Sequence, residues 1–184
     1  GQLKRLGDLG LGTFDGLDGE MLMVDGKIHQ VLARGAVKEP EDRLTTPFAQ
    51  VTFFDPDQTL SLPSELPFRE IESWLDQRLP SINYFYALRL EGRFKSVRTR
   101  SVPRQEPPYR PLAAIAATQP EFDFQHVSGT MVGFRSPPYV KDMGVPGYHL
   151  HFLTADGQAG GHVLDFVADR VELKLDQTHH FSLE

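Results

Sequence analysis

The stretch VPGYHLHFLTADGQAGGHVLDF, residues 145–166, predicts two β-strands joined by a turn at Asp156 and Gly157. Asp-Gly is a strong signal for a tight hairpin, and in that register His151 stands opposite His162 on the next strand. His149 lies on the same strand face as His151, because side chains alternate along a strand. Opposed residues have Cβ atoms about 5 Å apart. The hairpin therefore predicts three imidazoles that converge on one point.

Three converging histidines indicate a metal centre. Three neutral nitrogens with an open position are typical of a catalytic zinc, and iron, manganese or nickel would also accept them. The chain has no cysteine, so any metal must be bound by His, Asp or Glu. Two alternatives stay open: hydrogen-bonded structural histidines, and a register shifted by a bulge at Gly160 or Gly161. The remaining histidines are interpreted as surface, half-buried or tail residues: His29, His126, His179 and His180.

The rest of the chain predicts an α+β fold that is mainly β. Its 16 Gly and 14 Pro divide it into short pieces of alternating β-branched and aromatic residues. We expect two β-rich lobes, a mixed sheet and a small antiparallel barrel, with a few short helices at 67–79 and 111–119. The predicted strands are 20–26 and 27–33, joined by an Asp-Gly turn, and then 48–54, 83–92, 94–102, 126–136, 147–154 and 161–175.

The domain organisation follows from length and proline content. A chain of 184 residues favours a single compact unit over residues 1–184. The only linker-like stretch is the proline-rich segment 102–111. If the unit has sub-lobes, we therefore expect a β-sheet lobe at 1–105 and a β-barrel lobe carrying the histidines at 106–184.

Charge and composition exclude several classes of protein. A net charge of -6 disfavours nucleic acid as a partner, and no apolar run approaches the roughly 20 residues that span a bilayer. The absence of cysteine excludes disulfide scaffolds and cysteine nucleophiles. We expect a cytoplasmic protein, with secretion left open, since the first residue is not Met and a leader can have been removed.

Four separate segments, in order, resemble the alpha-acetolactate decarboxylase family. They are GDLGLGTFDGLDGEM at 7–21, PFAQVTFF at 47–54, FKSVRTRSVPRQEPPYRPL at 94–112, and the histidine hairpin. The resemblance covers nearly the whole chain. It implies a homodimer that converts 2-acetolactate to acetoin and carbon dioxide, in acetoin biosynthesis on the butanediol pathway.

The resemblance also implies the site. It assigns Zn²⁺ to His149, His151 and His162, and catalytic roles to Glu20 and Arg100. Decarboxylation would leave an enediolate that the metal stabilises and an acid such as Glu20 protonates. The substrate-binding candidates are Thr13 and Glu184, the latter as the counterpart of a glutamate in the family's C-terminal tail. From the residues alone, Arg98, Arg104 and Arg110 compete with Arg100, and Asp15 and Asp18 compete with Glu20.

Two other functions stay open at this point. A metal-dependent oxygenase or hydrolase of the small-barrel kind also places histidines on strands around an open metal position. A β-rich binding module with structural histidines is the non-enzymatic alternative. The sequence leaves open the metal in the cell and the preference among acetolactate homologues such as acetohydroxybutyrate.

Overall fold

The computed structural model describes residues 1–110, 114–115, 119–141 and 143–183. Its named strands are, in chain order, β1 Leu9–Thr13, β2 Glu20–Val24, β3 Lys27–Val31, β4 Val37–Lys38, β5 Ala49–Thr52, β6 Gln58–Ser61, β7 Phe85–Arg100, β8 Glu121–Ser136, β9 Gly147–Thr154 and β10 Gly160–Thr178. The helix α1 spans Phe68–Asp76, and short 3₁₀ turns lie at Leu3–Arg5, Asp15–Leu17 and Pro138–Val140. The predicted class, α+β and mainly β, is confirmed.

The strands form two five-stranded sheets. The first has the order β4-β3-β2-β1-β5, and the second has the order β6-β10-β7-β8-β9. In the second sheet β9 also pairs with β10, so β7 to β10 close into the predicted small barrel. Every named pair is antiparallel, so the first sheet is not mixed as expected. The cause is connectivity, because neighbouring strands of β1 to β4 are joined by short turns rather than by crossovers.

Glycines explain where strand boundaries differ from the prediction. The two strands predicted at 83–92 and 94–102 are one strand, β7. The strand continues through Gly92, which has φ 150° and lies so close to the Arg170 carbonyl on β10 that a residue with a Cβ would not fit there. The strand β1 was not predicted, because two of its five residues are glycine. There Gly10 brings β1 so close to β5 that a Cβ would lie 2.5 Å from the Gln50 carbonyl oxygen.

The helix α1 forms within the predicted range 67–79. Its apolar residues recur at helical spacing, and Ile71 and Leu75 are buried against the second sheet while Phe68 and Leu79 are partly buried there. The second predicted helix, at 111–119, lies largely outside the described residues.

Two apolar clusters hold the fold together. The larger one joins α1 to the barrel, around the fully buried rings of Phe94, Phe152 and Phe166. The smaller one packs the two sheets against each other through Leu11 and Leu22 of the first and residues of β7 and β8 of the second. A lobe boundary at residue 105 does not coincide with the sheets, since β6 and β7 precede it and pair within the second sheet. The long antiparallel pairing of β7 with β10 requires this arrangement.

Candidate metal centre

The histidine hairpin has the predicted register. Leu153 lies opposite Gly160 and His151 lies opposite His162. The turn is longer than expected and takes up residues 155–158, with a backbone hydrogen bond of 2.9 Å from the Thr154 amide to the Ala159 carbonyl. The longer turn keeps the register because it is centred on the same Asp-Gly pair. The alternative, a register shifted by a bulge at Gly160 or Gly161, is not observed, because both glycines pair in step with Leu153 and Phe152.

The three imidazoles converge as predicted. The distance from His149 Nε2 to His162 Nδ1 is 3.2 Å, and the distance from His162 Nδ1 to His151 Nε2 is 3.4 Å. Each ring offers one ligand atom, and these atoms all lie within 4.8 Å of one another. A tetrahedral zinc with Zn–N bonds of about 2.0–2.1 Å has N···N edges of about 3.3 Å. Two of the three nitrogen distances therefore match the edge of such a site.

Burial keeps the three rings neutral. It lowers the pKa of His149 to about 4 and that of His162 to about 3, with the charge of Arg100 contributing in the same direction. His151 is the most buried ring, and burial together with its two histidine neighbours holds its pKa well below the usual range. A neutral imidazole is the form that binds a metal, so the site is ready for one near neutral pH.

The first sheet orients one of these ligands. His151 Nδ1 donates a hydrogen bond of 2.7 Å to the backbone carbonyl of Met21, on β2. This bond fixes the tautomer and leaves the lone pair of Nε2 free to face the other two rings. His149 is held differently, with the Phe48 ring stacked at 6.4 Å, and its Nδ1 is buried without a hydrogen-bond partner among the described residues. Phe48 gave no chemical signal in the sequence, because only the tertiary fold places it there.

Glu20 is brought into contact with the histidines. It begins β2, only 6% exposed, and its Oε2 lies 3.4 Å from His151 Nε2. Burial raises the pKa of this carboxyl to about 8, and the nearby charge of Arg100 partly opposes the rise. The competing carboxylates lie elsewhere: Asp15 is exposed, and Asp18 accepts a hydrogen bond from Gln30.

Arg100 ends β7 directly opposite His162 on β10. Its charge contributes to lowering the pKa of all three histidines and opposes the rise that burial causes in the pKa of Glu20. The other candidates, Arg98, Arg104 and Arg110, are exposed, whereas Arg100 is half-buried. Exposure thus separates the arginines that the sequence alone left equivalent.

Thr13 lies opposite Glu20 in the pairing of β1 with β2. Its hydroxyl donates a hydrogen bond of 2.7 Å to the Gly19 carbonyl, so it fixes the residue just before Glu20. Glu184 lies outside the described residues. The four remaining histidines stand apart from this group, which contains only His149, His151 and His162 in the part of the chain that the structure describes.

The donor set fits a transition metal. Three imidazole nitrogens, two of whose separations match the edges of a tetrahedral site, fit one face of a coordination shell, and the Glu20 carboxyl lies 3.4 Å from one of them. Fold and site together define an antiparallel β-protein with a tri-histidine group of the kind that can hold a metal ion.

Comparison with known proteins gives the family. The sequence profile described as alpha-acetolactate decarboxylase matches residues 1–184, and the chain belongs to that family. It is 50% identical over 182 residues to the alpha-acetolactate decarboxylase of Methanosarcina mazei, a match that covers 99% of this chain and 63% of the relative. It is 38% identical to that of Bacillus subtilis, over 99% of this chain and 71% of the relative.

Solved structures agree with the fold. The crystal structure of alpha-acetolactate decarboxylase from Bacillus subtilis strain 168 superposes with a TM-score of 0.94 at 39% identity, covering 97% of this chain and 76% of that one. A Staphylococcus aureus protein, described as of unknown function and similar to alpha-acetolactate decarboxylase, gives a TM-score of 0.92 at 32% identity, covering 96% of this chain and 76% of that one. The chain thus spans about two thirds to three quarters of its relatives' length.

Proposed function

We propose that this protein decarboxylates 2-acetolactate to acetoin and carbon dioxide in a metal-dependent reaction. The observation that carries the proposal is the arrangement of three neutral imidazole nitrogens beside a buried carboxyl, 3.4 Å from His151, in a chain of this family. The geometry suits a reaction in which negative charge develops on a substrate oxygen and is then removed by a proton.

His149, His151 and His162 would hold the metal, which we propose to be Zn²⁺. When bound, such an ion supplies Lewis-acid stabilisation of negative charge on the ketone and hydroxyl oxygens of the substrate. Among the described residues, the group that can hold a metal contains no fourth protein ligand, which leaves one side of the ion open. That open side is where a chelating hydroxy-ketone would bind.

Arg100 would orient the substrate carboxylate. A planar guanidinium forms paired, charge-assisted hydrogen bonds with a carboxylate and fixes the direction of the bond that breaks. In the reaction the carbon–carbon bond to this carboxylate breaks, carbon dioxide leaves, and the electron pair moves toward the ketone oxygen to give an enediolate. The net charge of -6 repels an anionic substrate, so the local charge of Arg100 also serves to attract it.

Glu20 would deliver the proton that completes the reaction. The enediolate carbon must receive a proton from one side to give a single enantiomer of acetoin. A carboxyl that is 6% exposed beside His151 has a fixed approach to that carbon, and burial favours its protonated form. Gln30 and Thr13 fix the turn that precedes it.

The remaining assignments rest on the family. We propose that residues 1–184 act as one compact unit, that the protein is a homodimer, and that it works in the cytoplasm in acetoin formation on the butanediol pathway. No helix in the described part of the chain is long and apolar enough to cross a membrane. Thr13 and Glu184 are proposed as residues near the substrate.

The test is acetoin formation from racemic acetolactate by the native chain, by His151→Ala and by the control His126→Asn. His126 is exposed and has φ 51°, a conformation that Asn tolerates. The native chain and the control should form acetoin, whereas His151→Ala should lose both metal and activity. Oxygen uptake during turnover would support the oxygenase alternative, and a folded, metal-free native chain without acetoin would support the binding module.

A further inference from the structure

A buried amide, Gln30, lies outside the group of residues that would touch substrate or metal. It stands on β3 and is 0% exposed. Its Nε2 donates hydrogen bonds to the backbone oxygen of Asp18 at 2.6 Å and to the Asp18 carboxylate at 3.1 Å. Its Oε1 is buried and has no hydrogen-bond partner among the described residues. A buried acceptor without a donor lowers the stability of the fold, so stability alone does not explain why a glutamine occupies this position.

The position of Gln30 in the sheet lets its side chain hold the segment that carries Glu20. It lies directly opposite Met21 in the pairing of β2 with β3, and its side chain reaches along β2 to Asp18, past the start of that strand. The segment between these two contacts carries Glu20. Gln30 therefore holds both ends of the short stretch in which the acid is placed.

The same stretch makes both contacts of the first sheet with His151. The carbonyl of Met21 accepts the hydrogen bond from His151 Nδ1 at 2.7 Å, and the carboxyl of Glu20 lies 3.4 Å from His151 Nε2. One imidazole is thus contacted at both nitrogens by adjacent residues. A small movement of residues 18–21 changes the ring's orientation and its distance from the acid together.

The turn has further restraints from outside β3, including the pairing of Glu20 and Met21 with β1. Thr13 Oγ1 donates to the Gly19 carbonyl at 2.7 Å, and the Gly19 amide donates to Val102 at 3.0 Å. These bonds fix Gly19 alone. Gln30 bonds both the backbone and the carboxylate of Asp18 and so ties the turn to β3, whereas Arg104 Nη1 makes only a longer ion pair of 3.8 Å with the same carboxylate.

We propose that Gln30 is a positioning residue that sets the orientation of His151 and the approach of Glu20. It acts through Asp18 and the 18–21 segment and does not touch the substrate. The proposal rests on the proposed function for its effect on product handedness, but its effect on the His151 ring is independent of any activity.

The variant that tests it is Gln30→Met, which keeps the volume and removes the two donors together with the unpartnered acceptor. The primary measurement is the rate at which the His151 Nδ1–H proton exchanges with water in the metal-free protein, followed by NMR. We expect exchange to become at least about tenfold faster, and the metal dissociation constant to rise by about 10–100-fold, as for other partners that orient metal-binding histidines. Acetoin formed by the variant should lose enantiomeric purity.

The matched control is Tyr86→Phe. Tyr86 is 2% exposed, and its hydroxyl donates a hydrogen bond of 2.9 Å to the Ser81 carbonyl rather than to the 18–21 segment or to the histidines. This control removes a buried bond of the same kind and should leave the exchange rate, the metal affinity and the product unchanged. If Gln30→Met does not fold, Asp18→Ala is the second variant. The Asp18 side chain is 24% exposed, and its removal takes away the carboxylate partner of Gln30 and the 3.8 Å ion pair with Arg104 but leaves the backbone acceptor, so the same measurements should shift by a smaller factor.

The outcomes distinguish the positioning role of Gln30 from the proposed function of the protein. Native-like exchange and metal affinity in a folded Gln30→Met variant would overturn the positioning role. Faster exchange and weaker metal binding, with no acetoin even from the native chain, would support the positioning role and contradict the proposed function. Equal effects in Gln30→Met and Tyr86→Phe would show general loosening of the fold and would likewise overturn it.

Discussion

Gly133 permits the close approach of the strand that carries two of the three histidines. It lies on β8 opposite Leu150, between His149 and His151 of β9. A Cβ added to Gly133 would lie 1.9 Å from the backbone oxygen of His149, whereas real Cβ contacts essentially never fall below 3.0 Å. In Gly133→Ala the His149 carbonyl must therefore retreat by at least 1.1 Å, the difference between these two distances.

The retreat is large for a metal site. His162 stays on β10, so moving β9 changes the distance of 3.2 Å between His149 Nε2 and His162 Nδ1. Such a site must be held to within about 0.5 Å of its working geometry. We expect Gly133→Ala to weaken zinc binding by at least about 100-fold, the upper end of the effect of losing an orienting partner. Overpacking should also lower the free energy of unfolding of the metal-free protein by about 1–3 kcal/mol.

Competition with a chromophoric chelator measures the zinc affinity, and denaturant unfolding of the metal-free protein measures stability separately. Gly144→Ala is the control, because an added Cβ there meets nothing within 4 Å and Gly144 has no positive φ. It should match the native chain in both assays. Native-like zinc affinity in Gly133→Ala would refute the reasoning that the β8–β9 approach sets the ligand geometry.

Four further predictions concern the acid, the arginine, the core and the pH. Glu20→Gln should retain zinc but lose about 100-fold or more in turnover, or form racemic acetoin, and a fully active variant would remove this residue from the mechanism. Arg100→Lys keeps the charge but loses the planar fork, so kcat/KM should fall by about 10–100-fold with zinc content unchanged; equal kinetics would contradict an orienting role. Leu75 is 2% exposed, so Leu75→Ala should lower the free energy of unfolding by about 2–5 kcal/mol, measured with denaturant, without changing zinc affinity. The metal-free protein should lose stability as the pH falls from about 6.5 to about 4, because three buried imidazoles with lowered pKa values gain their protons only on unfolding. Glu20 has a raised pKa and opposes this loss of stability, but with a single proton. A melting temperature that does not fall over this pH range would contradict the neutral state of the three rings.

Local signals in the sequence predicted the histidine cluster and the helix. The Asp-Gly turn fixed which residues of β9 and β10 face each other, and alternation along β9 placed His149 beside His151. The apolar spacing of Ile71 and Leu75 predicted the buried face of α1. In each case residues near in sequence determine the geometry, so a reading of short stretches suffices.

Contacts between residues distant in sequence could not be predicted in this way. The strand β1 contains two glycines in five residues and forms because it fits between β2 and β5. Phe48 stacks on His149 only because the first sheet packs against the barrel, and Gln30 bonds Asp18 because β3 pairs with β2. Neither residue type carries a chemical signal by itself. The motif resemblance selected Glu20 and Arg100, and the structure adds the burial and proximity that the motifs do not contain.

The metal content of the purified chain, measured with acetoin formation on the same preparation before and after chelation, tests most directly whether the three histidines hold a metal that the reaction needs. We expect about one zinc per chain, activity that is lost on chelation, and activity that returns when zinc is added. A folded chain that forms acetoin equally well with and without metal would contradict this expectation.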